Sequence, residues 1–272
     1  MGIDMRAKLV AILICIIVIT GMSFLILSFL MNDNGPNGIT TTTSTTVTTT
    51  TSTIDPFPLG QTGYSFEKST YFLSPHHVFF RISADDANIS VYYANRTNLL
   101  YSIHVTPYNN SHEASIMFVV NTDSWGIFFS AGRQERITIV LGTYCFYNIF
   151  MADNSNTNTS ITLSNGAWVN GTALTYHDEE SHLNLRICND IQKTNSIGLT
   201  GQIICRTLDL EIQPPSGWNG YVIFNESNLT LLENTGWFEV DYNTFRTIEF
   251  PYDNPGILLN VVAEQASASF LI

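Results

Sequence analysis

The chain has 272 residues, a net charge of −12 and only 12% charged residues, about half the ~25% usual for soluble domains. Past the first turn of sequence the only lysines are Lys68 and Lys193. A nucleic-acid partner needs a basic stripe to displace phosphate counterions, so that class is excluded.

The first element is apolar. Leu9–Met31 runs for 23 residues without a charge. At about 1.5 Å per residue this is ~35 Å, enough to cross a ~30 Å hydrocarbon core with tilt. Arg6 and Lys8 precede it and Asp33 follows. The positive-inside bias then predicts residues 1–8 in the cytoplasm, 9–31 as a single transmembrane helix in the lipid bilayer, and the rest outside the cell. A cleaved signal peptide is the rival. Gly21-Met22-Ser23 has the small-x-small form, but the apolar run continues through Phe24–Met31, longer than a signal core. Cys15 follows bulky Leu13 and Ile14, the wrong context for a lipid-modified cysteine.

Residues 32–58 read as a stalk. Asn32–Gly38 is turn-forming, and Thr40–Thr53 carries a hydroxyl at every position except Val47. Such a tract has nothing to bury and stays extended. Pro56 and Pro58 close it, which predicts an ectodomain over 59–272.

The ectodomain reads as all-β. Val78, Phe80 and Ile82 alternate with His77, Phe79 and Arg81; Ile89, Val91 and Tyr93 alternate with Asn88, Ser90 and Tyr92. The same period of two appears at His182–Ile187 and Thr207–Ile212, one face apolar and one polar. Further strands are predicted at Ile116–Val120, Gly126–Phe129, Ile137–Leu141, Ser160–Leu163, Tyr221–Phe224, Trp237–Asp241, Ile257–Ala263 and Ala266–Ile272. Asn165-Gly166 and Asn170-Gly171 mark tight turns, and Pro214–Gly217 marks a division between sub-sheets. The terminal run is expected to pair, since a free apolar strand invites aggregation.

The segments Ala87–Tyr93, Leu99–Val105 and Ile137–Gly142 resemble archaeal cell-surface proteins that carry an anchor, a Thr-rich stalk and a toast-rack, adhesin-like β domain. The resemblance spans Asp85–Arg186 and rests on strand rhythm. It implies a stacked, solenoid-like set of strands in place of a two-sheet sandwich, and it carries over no functional residue.

Candidate chemistry is sparse. Asn-x-Ser/Thr sequons stand at Asn88, Asn95, Asn109, Asn158, Asn170, Asn225 and Asn228, acceptors for N-linked sugars on an exported chain. Cys145, Cys188 and Cys205 follow the anchor. Strand phase puts Cys145 inside and free, and Cys188 and Cys205 on polar faces, which predicts a Cys188–Cys205 disulfide. His177-Asp178-Glu179-Glu180-Ser181-His182 collects possible ligands, but its histidines are spaced i, i+5, not the helical i, i+4 of a zinc site. It reads as an acidic loop tip. Asp85-Asp86 lacks EF-hand spacing and reads as a turn. No metal or cofactor site is predicted.

No Gly-rich turn between strand and helix, no Asp-x-Asp and no Gly-x-Ser-x-Gly elbow is present. The expected function is therefore a surface-displayed β domain, not an enzyme, that contacts envelope proteins, glycans or other cells. Trp125, Trp168, Trp218 and Trp237 are its candidate contact aromatics, although core packing is the commoner role. The alternative is an envelope hydrolase acting on glycans or peptides. It requires two carboxylates drawn from Glu179, Glu180, Asp209, Glu211 and Asp241 to converge in a groove.

Overall fold

The computed structural model describes residues 64–70, 76–107, 114–120, 125–132, 134–152, 154–169, 172–192, 198–225, 227–247 and 256–271. The predicted anchor (9–31), stalk (32–58) and sequons Asn109 and Asn170 lie outside them. The described chain is all-β, with these strands in order: β1 Tyr64–Ser69, β2 His76–Ala84, β3 Asn88–Ala94, β4 Leu99–Pro107, β5 Ala114–Val120, β6 Trp125–Ala131, β7 Gln134–Gly142, β8 Cys145–Met151, β9 Asn158–Leu163, β10 Thr172–Ile187, β11 Leu199–Ile212, β12 Gly220–Asn225, β13 Asn228–Asn234, β14 Trp237–Asp241, β15 Thr244–Thr247 and β16 Ile257–Phe270. All belong to one open 16-stranded sheet.

The sheet is built from rungs of two arms each. β10, β11 and β16 are single long strands, and their two halves pair with different partners. The first half of β10 pairs with β8 and its second half with β9, both in parallel. β2 and β3 form one such rung, pairing with β8 and β9 respectively. β6 and β7 form another, pairing with β2 and β3. β12 and β13 pair with the two halves of β16. The rungs therefore stack as β6–β7, β2–β3, β8–β9, β10, β11, β16, β12–β13. Antiparallel strands finish the ends: β5 on β6, β4 on β7 and β1 on β4 at one end, β15 on β12 and β14 on β15 at the other.

Parallel stacking in register puts like residues over like. Ile127, Phe80, Ile149, Leu174, Gly201, Leu259 and Val222 form one inward column of the first arm. Ile139, Val91, Ile161, Leu185, Leu210 and Ala268 form a column of the second, and the exposed Leu231 lies in register at its end. Each fully buried aliphatic side chain contributes roughly 1.5–3 kcal/mol, so the stack is stabilised chiefly by these columns. The inner faces of the arms meet across the core. Tyr147 on β8 meets Tyr93 on β3 edge to face at 5.9 Å, and its hydroxyl donates to the Leu100 carbonyl at 2.5 Å. Phe224 on β12 reaches Phe270 on β16, which Trp237 covers in a stacked contact at 4.7 Å.

The corner between arms explains where sequence phase fails. Two consecutive residues face outward there: Asp85-Asp86, Ser155-Asn156, Glu179-Glu180, Arg206-Thr207 and Glu264-Gln265. The doublet shifts the period-two phase, so odd positions face the core before the corner of β11 and even positions after it. Asp86 (φ 47) and Asn156 (φ 51) take the left-handed conformation, which short polar side chains tolerate. The buried carboxylate of Asp178 secures the turn, accepting from the Thr157 amide (3.3 Å), the Thr157 hydroxyl (3.1 Å) and the Glu180 amide (3.1 Å). The stretch His177–His182 is therefore the bend of a continuous 16-residue strand, not the loop tip read from its polarity.

Pro214–Gly217 joins β11 to β12 within the same sheet and divides nothing. Asn165-Gly166 makes the predicted turn, with φ of 57 and 77. Close approach at the rung starts dictates glycine: a Cβ on Gly198 would lie 1.8 Å from the Gly256 carbonyl oxygen.

Candidate functional site

The outer face of the first arm departs from the usual division of polar and apolar residues. Its outward positions carry Phe128 on β6, Phe79 and Arg81 on β2, and Phe150 on β8. The rings of Phe128, Phe79 and Phe150 form a row across three adjacent rungs, each 5.8 Å from the next. Phe79 is 39% exposed, and Met117, which faces Phe128 from β5, is 45% exposed. Gly126 makes room for the row: a Cβ there would stand 2.9 Å from the Phe128 ring. Beyond Phe150 the same line continues through Thr175, Gln202 and Asn260 on β10, β11 and β16.

Beside the row, toward the corner, lies a line of hydroxyls. Ser115, Ser130 and Ser83 are register partners on β5, β6 and β2. With Asp85, Ala114, Ala131 and Gly132 they line a depression of about 400 Å³. The Ser155 hydroxyl holds the Asp85 carboxylate, donating at 2.7 Å. The face thus combines ring surface, neutral donors and acceptors, and a fixed carboxylate.

Of the expected contact aromatics, Trp237 is buried, Trp125 and Trp218 pack against the core, and Trp168 meets the Phe146 ring at 5.9 Å. The expected contact aromatics are all tryptophans, so the phenylalanine row is not among them. The signal was present: Phe79 stands between His77 and Arg81 in the outward phase of its strand.

The carboxylates proposed for hydrolysis stand at three places. Glu179 and Glu180 are exposed at the corner, and Asp241 is exposed on β14. Asp209 and Glu211 are outward neighbours on β11, but each is already engaged. Asp209 accepts from His182 at 2.8 Å and from the Ser267 hydroxyl, and Glu211 pairs with Arg186 at 3.0 Å. The Ser267 hydroxyl bond, with His182, holds the Asp209 carboxyl below the usual carboxylate range, the opposite of a general acid. Ser267, Asp209 and His182 also have the wrong order for a nucleophile triad, because the aspartate and not the histidine sits in the middle.

Among the described sequons, Asn88, Asn95, Asn158, Asn225 and Asn228 are all exposed. Asn88 and Asn158 are register partners, and each opens a second arm, as does Asn228.

The cysteine pairing is corrected. Cys145, Cys188 and Cys205 form no disulfide among the described residues, and Cys145 and Cys205 are buried. Cys205 lies before the corner, paired with Asp178, while Cys188 follows the end of the second arm. At ~3.3 Å per residue most of an arm, roughly 15–25 Å, separates them, far beyond the ~4.4–6.8 Å Cα separation a disulfide spans. The phase shift at Arg206-Thr207 turned Cys205 inward, and burial, with the Asp178 carboxylate nearby, pushes its thiol pKa up to about 12.

No family model matches the chain, and no curated protein matches it. The fold has a counterpart among solved structures. A putative cell adhesion protein from Clostridium sporogenes superposes with a TM-score of 0.55 at 9% identity, over 76% of this chain and 98% of that one. At that identity the likeness is one of fold alone, an all-β architecture.

Proposed function

We propose that the chain is a single-pass, membrane-anchored cell-surface protein that displays a non-catalytic β-rich binding domain on a Thr-rich stalk. The outer face of the first arm is its contact with the surrounding envelope. The observation that carries this reading is the row Phe128–Phe79–Phe150, set in the outward phase of three neighbouring rungs with Met117 beside it. Apolar surface kept wet in this arrangement marks a binding site more often than it serves the fold. The uncharged Leu9–Met31 run supports the anchor, and the Thr40–Thr53 tract supports a spacer of the kind carried by the archaeal surface proteins that the strand rhythm resembles. The adhesion protein of similar fold is consistent with display at a surface. The engaged carboxylates of β11 support a domain without hydrolytic chemistry.

Two measurements test it. Protease added to intact cells should release the ectodomain and leave a small anchored fragment; a protected ectodomain reverses the topology. Phe79→Thr combined with Met117→Thr should weaken binding of the full-length chain to isolated envelopes at least tenfold. Unchanged binding, with unchanged thermal stability, removes this face from the account.

A further inference from the structure

We infer that the ligand of this face is a neutral, extended glycan chain that lies along the stack and crosses the rungs. The inference rests on the binding-face reading above and names the ligand class.

Sugar rings present C–H faces that pack on aromatic surface and hydroxyls that need both donors and acceptors. The face offers both kinds of surface in adjacent lines. Phe128, Phe79 and Phe150 supply the rings. Ser115, Ser130 and Ser83 supply hydroxyls beside them. Thr175, Gln202 and Asn260 then continue the line beyond the last ring. Serine, threonine and side-chain amides each both donate and accept, which suits a polyol.

Along the line from Phe128 to Asn260 the one charged side chain is Arg81, between two rings; the corner, four residues on, carries Asp85, Glu179, Arg206 and Glu264, with Arg206 paired to Glu264 at 3.8 Å. No cluster of one sign lies on the line, so it offers a charged polymer no array of counter-charges. A protein partner is also poorly served. Protein interfaces bury about 800 Å² on each side around an apolar centre, whereas the ring row ends at Phe150 and its line continues in Thr175, Gln202 and Asn260, with the half-buried Ile204 and Val262 beside them.

Neighbouring rungs lie ~4.8 Å apart, close to the length of one sugar unit in an extended chain. A polysaccharide running along the stack meets a new rung, and an equivalent outward side chain, at about each residue. The 400 Å³ depression at one end of the line is placed to take a chain end or branch, with the Asp85 carboxylate as an acceptor for its hydroxyls.

The test uses the full-length chain in mild detergent on immobilised neutral polysaccharides (glucan, mannan, galactan) and on acidic ones (uronate-rich, sulfated), at low and high salt. The expected result is retention on at least one neutral polysaccharide, insensitive to salt. Phe79→Thr with Phe150→Thr should weaken it at least tenfold, Gln202→Ala with Asn260→Ala several-fold, and Leu232→Thr at the opposite end not at all. Retention only on acidic polymers, lost in salt, overturns the inference, as does neutral binding that the double phenylalanine variant leaves intact. If no polysaccharide is retained but that variant still loses attachment to isolated envelopes, the ligand is not a glycan and the binding face stands. If the variant changes neither, the binding face falls as well.

Discussion

Tyr93 and Tyr147 face each other across the core, both fully buried, with ring centroids 5.9 Å apart. The same substitution should have opposite effects at the two positions. The Tyr147 hydroxyl donates to the Leu100 carbonyl at 2.5 Å, tying the first arm to β4, which pairs with the second arm at β7. Tyr147→Phe leaves that buried carbonyl short of a partner and should cost about 1–3 kcal/mol. The Tyr93 hydroxyl has no partner among the described residues. Its desolvation is uncompensated, and burial raises its pKa far above the ordinary tyrosine value, so it stays a neutral phenol. Tyr93→Phe removes the penalty at constant shape, with an expected effect between zero and a gain of about 1 kcal/mol. Urea unfolding resolves the pair. With a slope of about 3 kcal/mol/M for a domain of this size, Tyr147→Phe should lower the midpoint by about 0.3–1 M. Tyr93→Phe should leave the midpoint unchanged or raise it. Equal losses from both variants would refute the reasoning, because they would require a hydrogen-bond partner for Tyr93 that the arm-to-arm packing does not provide.

Phe270→Ala should cost about 3–5 kcal/mol, since Phe270 is fully buried against Trp237, Phe224 and Phe245; a loss below 1 kcal/mol in denaturant unfolding would mean the far end of the stack is not packed this way. Native alkylation followed by peptide mapping should label Cys188 first and reach Cys145 and Cys205 only on unfolding, with no peptide joined through a disulfide. Asp209 is held below the usual carboxylate range first by the Ser267 hydroxyl, so its contribution is present above pH ~4 and lost as pH falls through its lowered pKa. With about half of the side chain exposed, that contribution should stay under ~1 kcal/mol. NMR titration should show Ser267→Ala moving Asp209 back toward the ordinary aspartate value.

Much of the second arm was legible in sequence. Asn88–Tyr93, His182–Ile187 and Thr207–Ile212 bury one face and wet the other, so their alternation is clean. The first arms were harder. In β8, Cys145, Phe146 and Tyr147 are all buried, because Trp168 covers Phe146 from outside, and a continuous apolar run has no phase to read. In β10 the polar bend from Asp178 to Ser181 hid a strand that passes through it. The corner doublets then break the phase, which is why carrying the alternation back from Thr207 misplaced Cys205. Rung order was beyond reach, because period two sets which face a residue occupies but not which strand lies beside it. That β16 inserts between β11 and β12, or that β6–β7 stacks outside β2–β3, follows from packing alone. The outward phase of Phe79 is legible in its alternation with Val78, Phe80 and Ile82, whereas the serine line exists only when β5, β6 and β2 are aligned.

The proposed contact is the phenylalanine row on the outer face of the first arm. Hydroxyl-radical footprinting of the full-length chain, with and without isolated envelopes, reads this residue by residue. The prediction is protection of Met117, Phe79 and Phe150, with Phe238 and Tyr242 at the far end, exposed in the free chain, reacting equally in both samples. Protection confined to Phe238, Leu232 and Tyr242, with the phenylalanine row unchanged, would contradict it.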